Sequence, residues 1–506
     1  MIMMDNLALG LQTALSFDNL LWCFVGVFAG TLLGVIPGIG VLAAISMLLP
    51  LTFQLDATAA LIMLAGIWYG TSYGGSTASI LLNVPGTPSS AITALDGYPM
   101  ARQGRAGVAL LMTTIASFTG GSIGILLLMG FSGSIAQVAL QFSSAEYFAL
   151  MLLGLVAASS MSSGAMSKGL IMVCLGMLFG LVGSDVYTGT RRFTFGMIEL
   201  ADGIALVALA LGIFGLSEVI ASIGKIDAKD IDSRSIGLRS MKPTREDMRR
   251  SWRPMLRGAA VGSFFGTLPG TGPSIAAFMS YAMERRISKT PEKFGTGEIE
   301  GITGPESANN AADQTAFIPT LALGIPGSAT MALMLGALMI HGIAPGPQLM
   351  TEQPALFWGL VMSFWIGNLL LLVLNIPLIG LWVRLLTVPY HWLFPAVLMF
   401  ICIGTYSVNS SGFDVLMVAM FGILGYALRL LNFPLAPMLL GFVLGPMMEE
   451  HFRRAMLLGR GDPMVFLSRP ISAVVLLLTL GLLLLGVRST LKARRRQPLA
   501  DGRASP

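Results

Sequence analysis

The sequence predicts an all-α polytopic membrane protein with two inverted-topology repeats, broken or re-entrant helices and about 11–13 membrane segments. Three observations support this fold class. The composition is strongly apolar, a set of glycine and proline positions recurs more than 200 residues later, and the excess basic charge is confined to one loop and one tail. A period of this length is too long for a solenoid repeat and is typical of an internally duplicated carrier.

Membrane insertion is predicted by composition. Charged residues make up 11% of the 506 residues and hydrophobic residues 54%, with a mean hydropathy of +0.77. These values differ widely from those of soluble globular proteins. The start of the chain lacks a basic region, so we expect no cleavable signal peptide. Apolar runs occur at 106–131, 145–160, 168–187, 199–223, 355–386 and 470–487.

The repeat consists of two motif pairs. The first motif returns 232 residues later, and a second motif, Leu-x-x-Pro-Gly, returns after 241. The nine extra residues fit in the charged stretch 283–304. The first motif pair aligns Gly26, Gly30, Gly34, Pro37, Gly38 and Gly40 with Gly258, Gly262, Gly266, Pro269, Gly270 and Gly272; the second aligns Pro85 and Gly86 with Pro326 and Gly327.

The basic residues are concentrated in two places. Residues 225–257 hold ten Lys/Arg against five Asp/Glu, and residues 488–506 hold six against one. Because this excess flanks membrane segments, it does not indicate a nucleic-acid partner. The positive-inside rule places both regions in the cytoplasm. The N-terminus, which has no basic residue before Arg102, then lies outside. An external start and an internal end require an odd number of crossings.

This charge pattern predicts the domain organisation. The first motif follows the external N-terminus and the second follows the basic loop, so the two copies enter the membrane from opposite sides and form inverted repeats. We expect a first membrane repeat at 1–223, a basic cytoplasmic linker at 224–254, a second, inverted repeat at 255–487 and a basic cytoplasmic tail at 488–506. Whether 258–283 crosses the membrane or re-enters is left open.

Two helix breaks are predicted in each half. Proline removes a backbone donor and glycine permits a positive φ, so Pro-Gly interrupts a helix. At membrane depth, such a break must be buried in protein or line a wet cavity. The half-helix that follows can bind a carboxylate through its free N–H groups without any lysine or arginine. We predict a substrate site formed by Pro37, Gly38, Gly40, Ser76, Asn83, Pro85, Gly86, Thr87, Pro269, Gly270, Gly272, Pro326, Gly327 and Ser328.

Acidic and amide side chains precede the later break of the second half. Glu306, Asn310 and Asp313 have helical spacing and share a face. Such oxygens suit a hard cation, whose charge would offset the cost of acids in the membrane. We predict that Glu306, Asn309, Asn310 and Asp313 hold the coupling ion: Na⁺ is the first hypothesis, and H⁺ carried by Glu306 is the alternative. The three cysteines are isolated in apolar runs, so we expect no cofactor and no metal beyond a transported Na⁺.

Longer motifs resemble one family, the large membrane subunit of tripartite tricarboxylate transporters. The resemblance covers nearly the whole chain. Glu306, Asn309 and Asn310 match the family's segment, whereas Asp313 is less typical of it. The motifs are the paired Pro-Gly-x-Gly segments, YGGSTASILLNVPGT from Tyr73, ESANNAA from Glu306, LGIPGS from Leu323 and GSDVYTGTRRFTFG from Gly183.

The resemblance implies an ion-coupled symporter of the bacterial inner membrane. It would import small tricarboxylates or dicarboxylates by alternating access, together with a small membrane subunit and a periplasmic solute-binding protein that delivers substrate. We expect no enzymatic activity, and the chain has no GxxxxGK[ST] motif for ATP hydrolysis. A channel or passive facilitator for organic anions is the alternative, and an intramembrane enzyme is a remote one. The sequence does not identify the carboxylate.

Overall fold

The computed structural model describes residues 2–36, 38–161, 165–185, 187–222, 237–268, 270–386 and 390–496. These residues are largely helical with very little strand, which confirms the predicted all-α class. Four described helical segments are long and apolar enough to cross a membrane: Phe17–Val35, Ala91–Ala139, Pro354–Asn375 and Gly412–Leu430. Shorter apolar helices accompany them, and the total number of membrane crossings stays a prediction.

The helices before the basic linker are α1 (Ile2–Ala14), α2 (Phe17–Val35), α3 (Val41–Leu48), α4 (Ala57–Leu82), α5 (Ala91–Met100), α6 (Ala106–Ala139), α7 (Ser144–Met161), α8 (Met166–Gly180), α9 (Leu206–Ala210) and α10 (Ser217–Ser222). Wider turns at Ala101–Arg105 and Leu211–Leu216 continue α5 into α6 and α9 into α10. Two short antiparallel strands, β1 (Gly183–Ser184) and β2 (Arg191–Arg192), lie between α8 and α9.

The later helices are α11 (Arg245–Gly266), α12 (Gly272–Ile287), α13 (Glu300–Thr315), α14 (Phe317–Leu323), α15 (Ala329–Ile340), α16 (Leu349–Glu352), α17 (Pro354–Asn375), α18 (Ile379–Leu385), α19 (Tyr390–Asn409), α20 (Gly412–Leu430), α21 (Ala436–Leu458), α22 (Val465–Ser468) and α23 (Pro470–Arg496). Short 3₁₀ turns occur at Leu49–Gln54, Ile198–Leu200, Leu238–Met241 and Pro291–Lys293.

The chain forms two compact units, and each takes segments from both predicted halves. The first comprises Met1–Gln141 and Ile204–Ala427, and the second comprises Phe142–Gly203 and Leu428–Pro506. The predicted division into consecutive repeats is therefore a different division of the chain from the compact units. The repeat itself is visible in the packing of the first unit.

Two helix pairs of the first unit are built in the same way. Three glycines of α2 lie against backbone oxygens of α4, and the three matching glycines of α11 lie against oxygens of α13. The contacted residues differ by the repeat offset of 241, so the same helix pair is made twice. The contacts are Gly26–Met63, Gly30–Ile67 and Gly34–Thr71, then Gly258–Gly304, Gly262–Ala308 and Gly266–Ala312.

We expect Gly262→Ala to destabilise the protein, because its Cβ would overlap the carbonyl oxygen of Ala308 and force α11 away from α13. Overpacking of this kind costs about 1–3 kcal/mol or more. Gly130→Ala is the matched control, since this helical glycine has no atom within 4 Å of the added Cβ. Thermal unfolding of the detergent-purified variants is the measurement. Equal melting temperatures for the two variants would contradict this packing.

Helix α11 begins with a reciprocal capping arrangement between Thr244 and Asp247. Thr244 Oγ1 accepts from the N–H of Asp247 (3.1 Å), and Asp247 Oδ2 accepts from the N–H of Thr244 (2.9 Å). Arg105 approaches the other oxygen of Asp247 at 2.7 Å. Burial favours the neutral acid, but the hydrogen bonds from Arg105 and Thr244 outweigh it and hold the pKa of Asp247 below its ordinary value.

This lowered pKa predicts a pH dependence. The stability that Asp247 contributes is present above its unfolded pKa of about 4 and is lost as the pH falls through the lower folded value. The melting temperature of Asp247→Asn should therefore lie below wild type at pH 7, and the difference should close below about pH 4. Glu246→Gln, at an exposed neighbour in the same turn, is the control. A difference that stays constant down to pH 3 would contradict the assignment.

The second unit has its own close helix contacts. Gly176 of α8 lies against the backbone of α21, and Gly441 of α21 lies against Val173. Glu146 on α7 accepts from Arg469 at 2.5 Å. After β1, Asp185 pairs with Arg192 and with Arg453, so the hairpin is tied to α21.

Candidate functional site

Helices α4 and α13 meet through two pairs of polar side chains. Ser72 Oγ donates to Asp313 Oδ2 at 2.9 Å, and Ser76 Oγ donates to Glu306 Oε1 at 2.7 Å. Residue numbers rise along α4 while those of their partners fall along α13, so the helices run antiparallel. Ser72 and Asp313 are 241 positions apart, which is the repeat offset. Equivalent positions of the two copies thus touch, as they do beside a local twofold axis.

Glu306 joins four helices at one carboxylate. Its Oε1 atom also accepts from Thr93 of α5 at 2.5 Å, and its Oε2 accepts from Ser117 of α6 at 3.1 Å. The side chain is only 1% exposed. In the described part of the chain, no ion pair includes this glutamate or Asp313. The acid is therefore stabilised by three hydroxyl donors and by no basic side chain.

Asp313 is held less completely than Glu306. Its Oδ1 atom has no hydrogen-bond partner among the described residues, and the same is true of both polar atoms of Asn309, Gln314 Oε1 and the Tyr69 hydroxyl. Asn310 differs, because its Nδ2 donates to the backbone oxygen of Glu306 at 3.0 Å. The four predicted ion ligands therefore lie on one helix but differ in how many of their polar atoms are hydrogen-bonded. The unsatisfied atoms cluster around Asp313.

A second carboxylate, Asp96 of α5, ties this helix to the segment that precedes α13. Its Oδ1 accepts from the backbone N–H groups of Gly295 (2.8 Å), Gly297 (2.9 Å) and Glu298 (2.8 Å). Its Oδ2 accepts from the Tyr281 hydroxyl at 2.9 Å. Thr93 lies one turn earlier on α5, so the same helix holds both Glu306 and the charged stretch that distinguishes the second repeat.

The later break of the first half adjoins Glu306. Helix α4 ends at Asn83, an exposed residue with φ of 58°, and the chain turns through Pro85 and Gly86 before α5 begins. A Cβ on Gly86 would lie 2.5 Å from the Cα of Gly75, the neighbour of Ser76. Close approach to α4 therefore requires glycine at position 86, and the break lies directly beside the Ser76–Glu306 contact.

At the later break of each half, a side-chain hydroxyl caps the start of the helix that follows. Thr87 Oγ1 accepts from the N–H of Ser90 (3.3 Å), and Ser328 Oγ accepts from the N–H of Met331 (3.3 Å). The two residues are repeat equivalents and make the same contact three positions ahead. Both residues belong to the predicted substrate site, and in the structure the hydroxyl oxygen of each accepts a hydrogen bond from its own helix start.

The second half brings its two breaks together. Helix α14 ends at Gly324 with φ of 69°, which is the repeat equivalent of Asn83. The N–H of Gly270 donates to the backbone oxygen of Gly327 at 2.8 Å. In the sequence, each of these glycines directly follows a proline of the predicted substrate site. Gly272 has φ of 66° and lies near Ser328. Pro326 is buried, whereas Pro269 lies outside the described residues.

The first break of the first half borders a cavity. Pro37 lies outside the described residues; Gly38 has φ of 89° and Gly40 precedes α3. The cavity is small, about 20 Å³, and Gly38, Glu218 and Ser222 lie among otherwise apolar lining side chains. A lining with an acid and no base does not suit a tricarboxylate in this conformation.

The structure thus groups the predicted residues by chemistry. Ser76, Glu306, Asn309, Asn310 and Asp313 lie at the α4–α13 crossing, and those of the predicted glycines and prolines that the structure describes lie at the breaks. Sequence reasoning assigned Ser76 to the substrate, but its hydroxyl is bonded to Glu306. It also missed Ser72, Thr93, Ser117, Tyr69 and Gln314. The sequence held one usable signal for Ser72: it lies 241 positions before Asp313, which makes the two residues repeat equivalents.

Comparisons with known proteins identify the family of this chain. The family described as the tripartite tricarboxylate transporter TctA family matches residues 20–440. An Agrobacterium vitis protein described as an uncharacterized 52.8 kDa protein in the TAR-I ttuC' 3' region is 51% identical over 498 residues, covering 98% of each chain. A second, described as an uncharacterized protein in the TAR-II ttuC' 3' region of the same organism, is 55% identical over 240 residues, covering 47% of this chain and 99% of its own. No solved structure matches the chain.

Proposed function

The chain belongs to the tripartite tricarboxylate transporter TctA family, and from this premise we propose that it is the large subunit of an ion-coupled carboxylate importer. It would move small tricarboxylates or dicarboxylates across the bacterial inner membrane by alternating access. A periplasmic solute-binding protein would deliver substrate, and a small membrane subunit would complete the assembly. The membership identifies a membrane transporter and implies no enzymatic role.

One observation supports the transport proposal beyond membership. Two buried carboxylates without basic partners lie where α4 and α13 cross, beside a helix break. Charged groups at membrane depth are expensive and usually mark an ion or substrate path. The crossing helices are repeat equivalents that run antiparallel, as expected of inverted repeats with a site at their interface.

We assign the substrate carboxylates to the helix starts at the breaks and the coupling ion to α13. The first turns of α5 and α15 offer N–H groups without a lysine or arginine. Na⁺ is the coupling ion we favour, because carboxylate and amide oxygens lie together on α13; H⁺ carried by Glu306 is the alternative. An acid near the substrate would repel its carboxylates. A bound cation would offset that negative charge and allow the two sites to lie close together.

Uptake by right-side-out membrane vesicles tests the proposal. Vesicles holding this chain and the small subunit should take up radiolabelled di- or tricarboxylates only when the purified binding protein is added. A panel of mono-, di- and tricarboxylates would identify the class. No uptake of any carboxylate with all three proteins present would contradict the proposal, and uptake that ignores the binding protein would remove that partner.

The proposed topology predicts a labelling pattern. After Cys23, Cys174 and Cys402 are replaced by serine, Ser16→Cys should react with an impermeant thiol reagent added to the periplasmic side. Ser235→Cys and Ser505→Cys should react only after the inner membrane is permeabilised, because the basic loop and tail are placed inside. Reaction of Ser16→Cys and Ser235→Cys from the same side would contradict the inverted arrangement.

A further inference from the structure

Unsatisfied polar atoms cluster around Asp313. They are Asp313 Oδ1, the two polar atoms of Asn309, Gln314 Oε1 and the Tyr69 hydroxyl, and none of them makes a hydrogen bond of good geometry to a described residue. Asp313 is 0% exposed, Asn309 1% and Gln314 3%. Buried polar atoms are nearly always paired, so a group of unpaired ones calls for water or an ion.

The positions of these atoms favour a common ligand. Asn309 precedes Asp313 by one helical turn, which places both side chains on the same face of α13. The Tyr69 hydroxyl lies beside Asp313 and within hydrogen-bonding reach of Gln314, and the Trp68 side chain also approaches Asp313. Ser72 holds Asp313 Oδ2 at 2.9 Å and leaves Oδ1 as the free acceptor. The free atoms are mainly oxygens, so the missing partner is a cation or a donor.

The two carboxylates of α13 differ in whether their oxygens are already hydrogen-bonded. Glu306 has both oxygens engaged by Ser76, Thr93 and Ser117. Asp313 has one hydroxyl donor and one free oxygen. A cation therefore finds unengaged oxygens at Asp313, whereas at Glu306 it would have to displace or share hydroxyl contacts.

We propose that Asp313, Asn309, Gln314 and Tyr69 form a binding site for one Na⁺ ion. One free carboxylate oxygen with amide and phenol oxygens matches a monovalent hard cation. Ca²⁺ takes six to eight oxygens, commonly several from carboxylates, and Mg²⁺ demands near-ideal octahedral geometry. The site lies beside the Ser72–Asp313 contact between repeat equivalents, where both halves can affect it. Its role as the coupling site rests on the proposed transport function, but binding does not.

Direct binding tests the site without any carboxylate or partner. The detergent-purified chain, held at pH 8 and constant ionic strength with choline, should bind ²²Na⁺ saturably at one ion per chain. Unlabelled Na⁺ should compete, and K⁺ and Ca²⁺ should compete far less. Asp313→Asn and Asn309→Ala should weaken binding at least tenfold. Glu352→Gln, at an exposed helix end, should bind like wild type.

Each outcome decides the assignment. If Asp313→Asn or Asn309→Ala fails to fold, Tyr69→Phe removes one oxygen while keeping the ring and should still weaken binding. Absence of saturable ²²Na⁺ binding to folded wild type would overturn the site and leave water as the occupant. Full binding in Asp313→Asn, or loss confined to Glu306→Gln, would also overturn it. Failure of carboxylate uptake alone would count against the transport proposal and not against the site.

Discussion

Glu306→Gln should lower carboxylate uptake by about 100-fold, equivalent to about 2.7 kcal/mol. The substitution keeps the shape of the side chain but removes the carboxyl group to which three hydroxyls from α4, α5 and α6 donate. An amide nitrogen in place of one oxygen cannot accept a hydrogen bond, so the hydroxyl it faces would have to turn and accept instead, and the junction of four helices would lose one of its donor contacts. Initial uptake rates in the vesicle assay, normalised to the amount of inserted protein, are the measurement.

Two further variants show whether a loss of uptake comes from the carboxyl group of Glu306 itself. Ser117→Ala removes the longest of the three contacts (3.1 Å) and should reduce uptake less than Glu306→Gln. Glu352→Gln, on an exposed helix end, should transport like wild type. Uptake within threefold of wild type in a properly inserted Glu306→Gln variant would show that the carboxyl group of this buried acid is dispensable.

Asp96→Ala should cost several kcal/mol of folding stability and abolish recovery of monodisperse protein. The substitution leaves three backbone N–H groups and the Tyr281 hydroxyl without their acceptor, and each unpaired buried group costs about 1–3 kcal/mol. The segment at 295–298 would lose its anchor to α5, and α13 would begin from an unfixed position. Size-exclusion profiles and thermal unfolding in detergent measure the effect.

Asp96→Asn is the informative partner of that variant. Its side-chain oxygen can still accept from the three N–H groups, and its amide can donate to the Tyr281 hydroxyl, so the loss should be smaller than in Asp96→Ala. Glu292→Gln, at an exposed position of the same stretch, should be neutral. An Asp96→Ala variant within about 1 kcal/mol of wild type would show that these hydrogen bonds do not hold the segment.

The repeat could be predicted from the sequence because backbone constraints leave clear traces there. Only glycine lets α2 and α11 approach their partners so closely, and each half preserves the same spacing. The Pro-Gly motifs likewise marked where α4 and α14 end, since both helices finish in left-handed residues 241 positions apart, Asn83 and Gly324. These features depend on local geometry that a sequence pattern can record.

The contacts at the crossing could not be predicted in the same way. That Ser72 meets Asp313 depends on how α4 packs against α13, which no spacing within one segment reveals. Ser76, Thr93 and Ser117 share Glu306 only because three helices converge there. Hydroxyls also occur throughout apolar helices, where they bond to their own backbone, so their presence alone did not single these out.

The compact units were also beyond the sequence argument. Hydropathy shows which segments are apolar but not which apolar segments pack together. The second unit combines Phe142–Gly203 with Leu428–Pro506, which lie more than 200 residues apart in the chain. The glycines of α8 and α21 that form this contact follow no repeat offset, so nothing in the pattern linked them.

Accumulation in proteoliposomes tests the central claim of ion-coupled carboxylate transport most directly. Liposomes would contain the purified chain with its small subunit, and the binding protein and a radiolabelled carboxylate would be added outside. Under an inward Na⁺ gradient, the internal concentration should rise well above the external one, collapse when the gradient is dissipated and fail to rise with Glu306→Gln. Equilibration only to the external concentration, or equal accumulation with no ion gradient of either kind, would contradict the account.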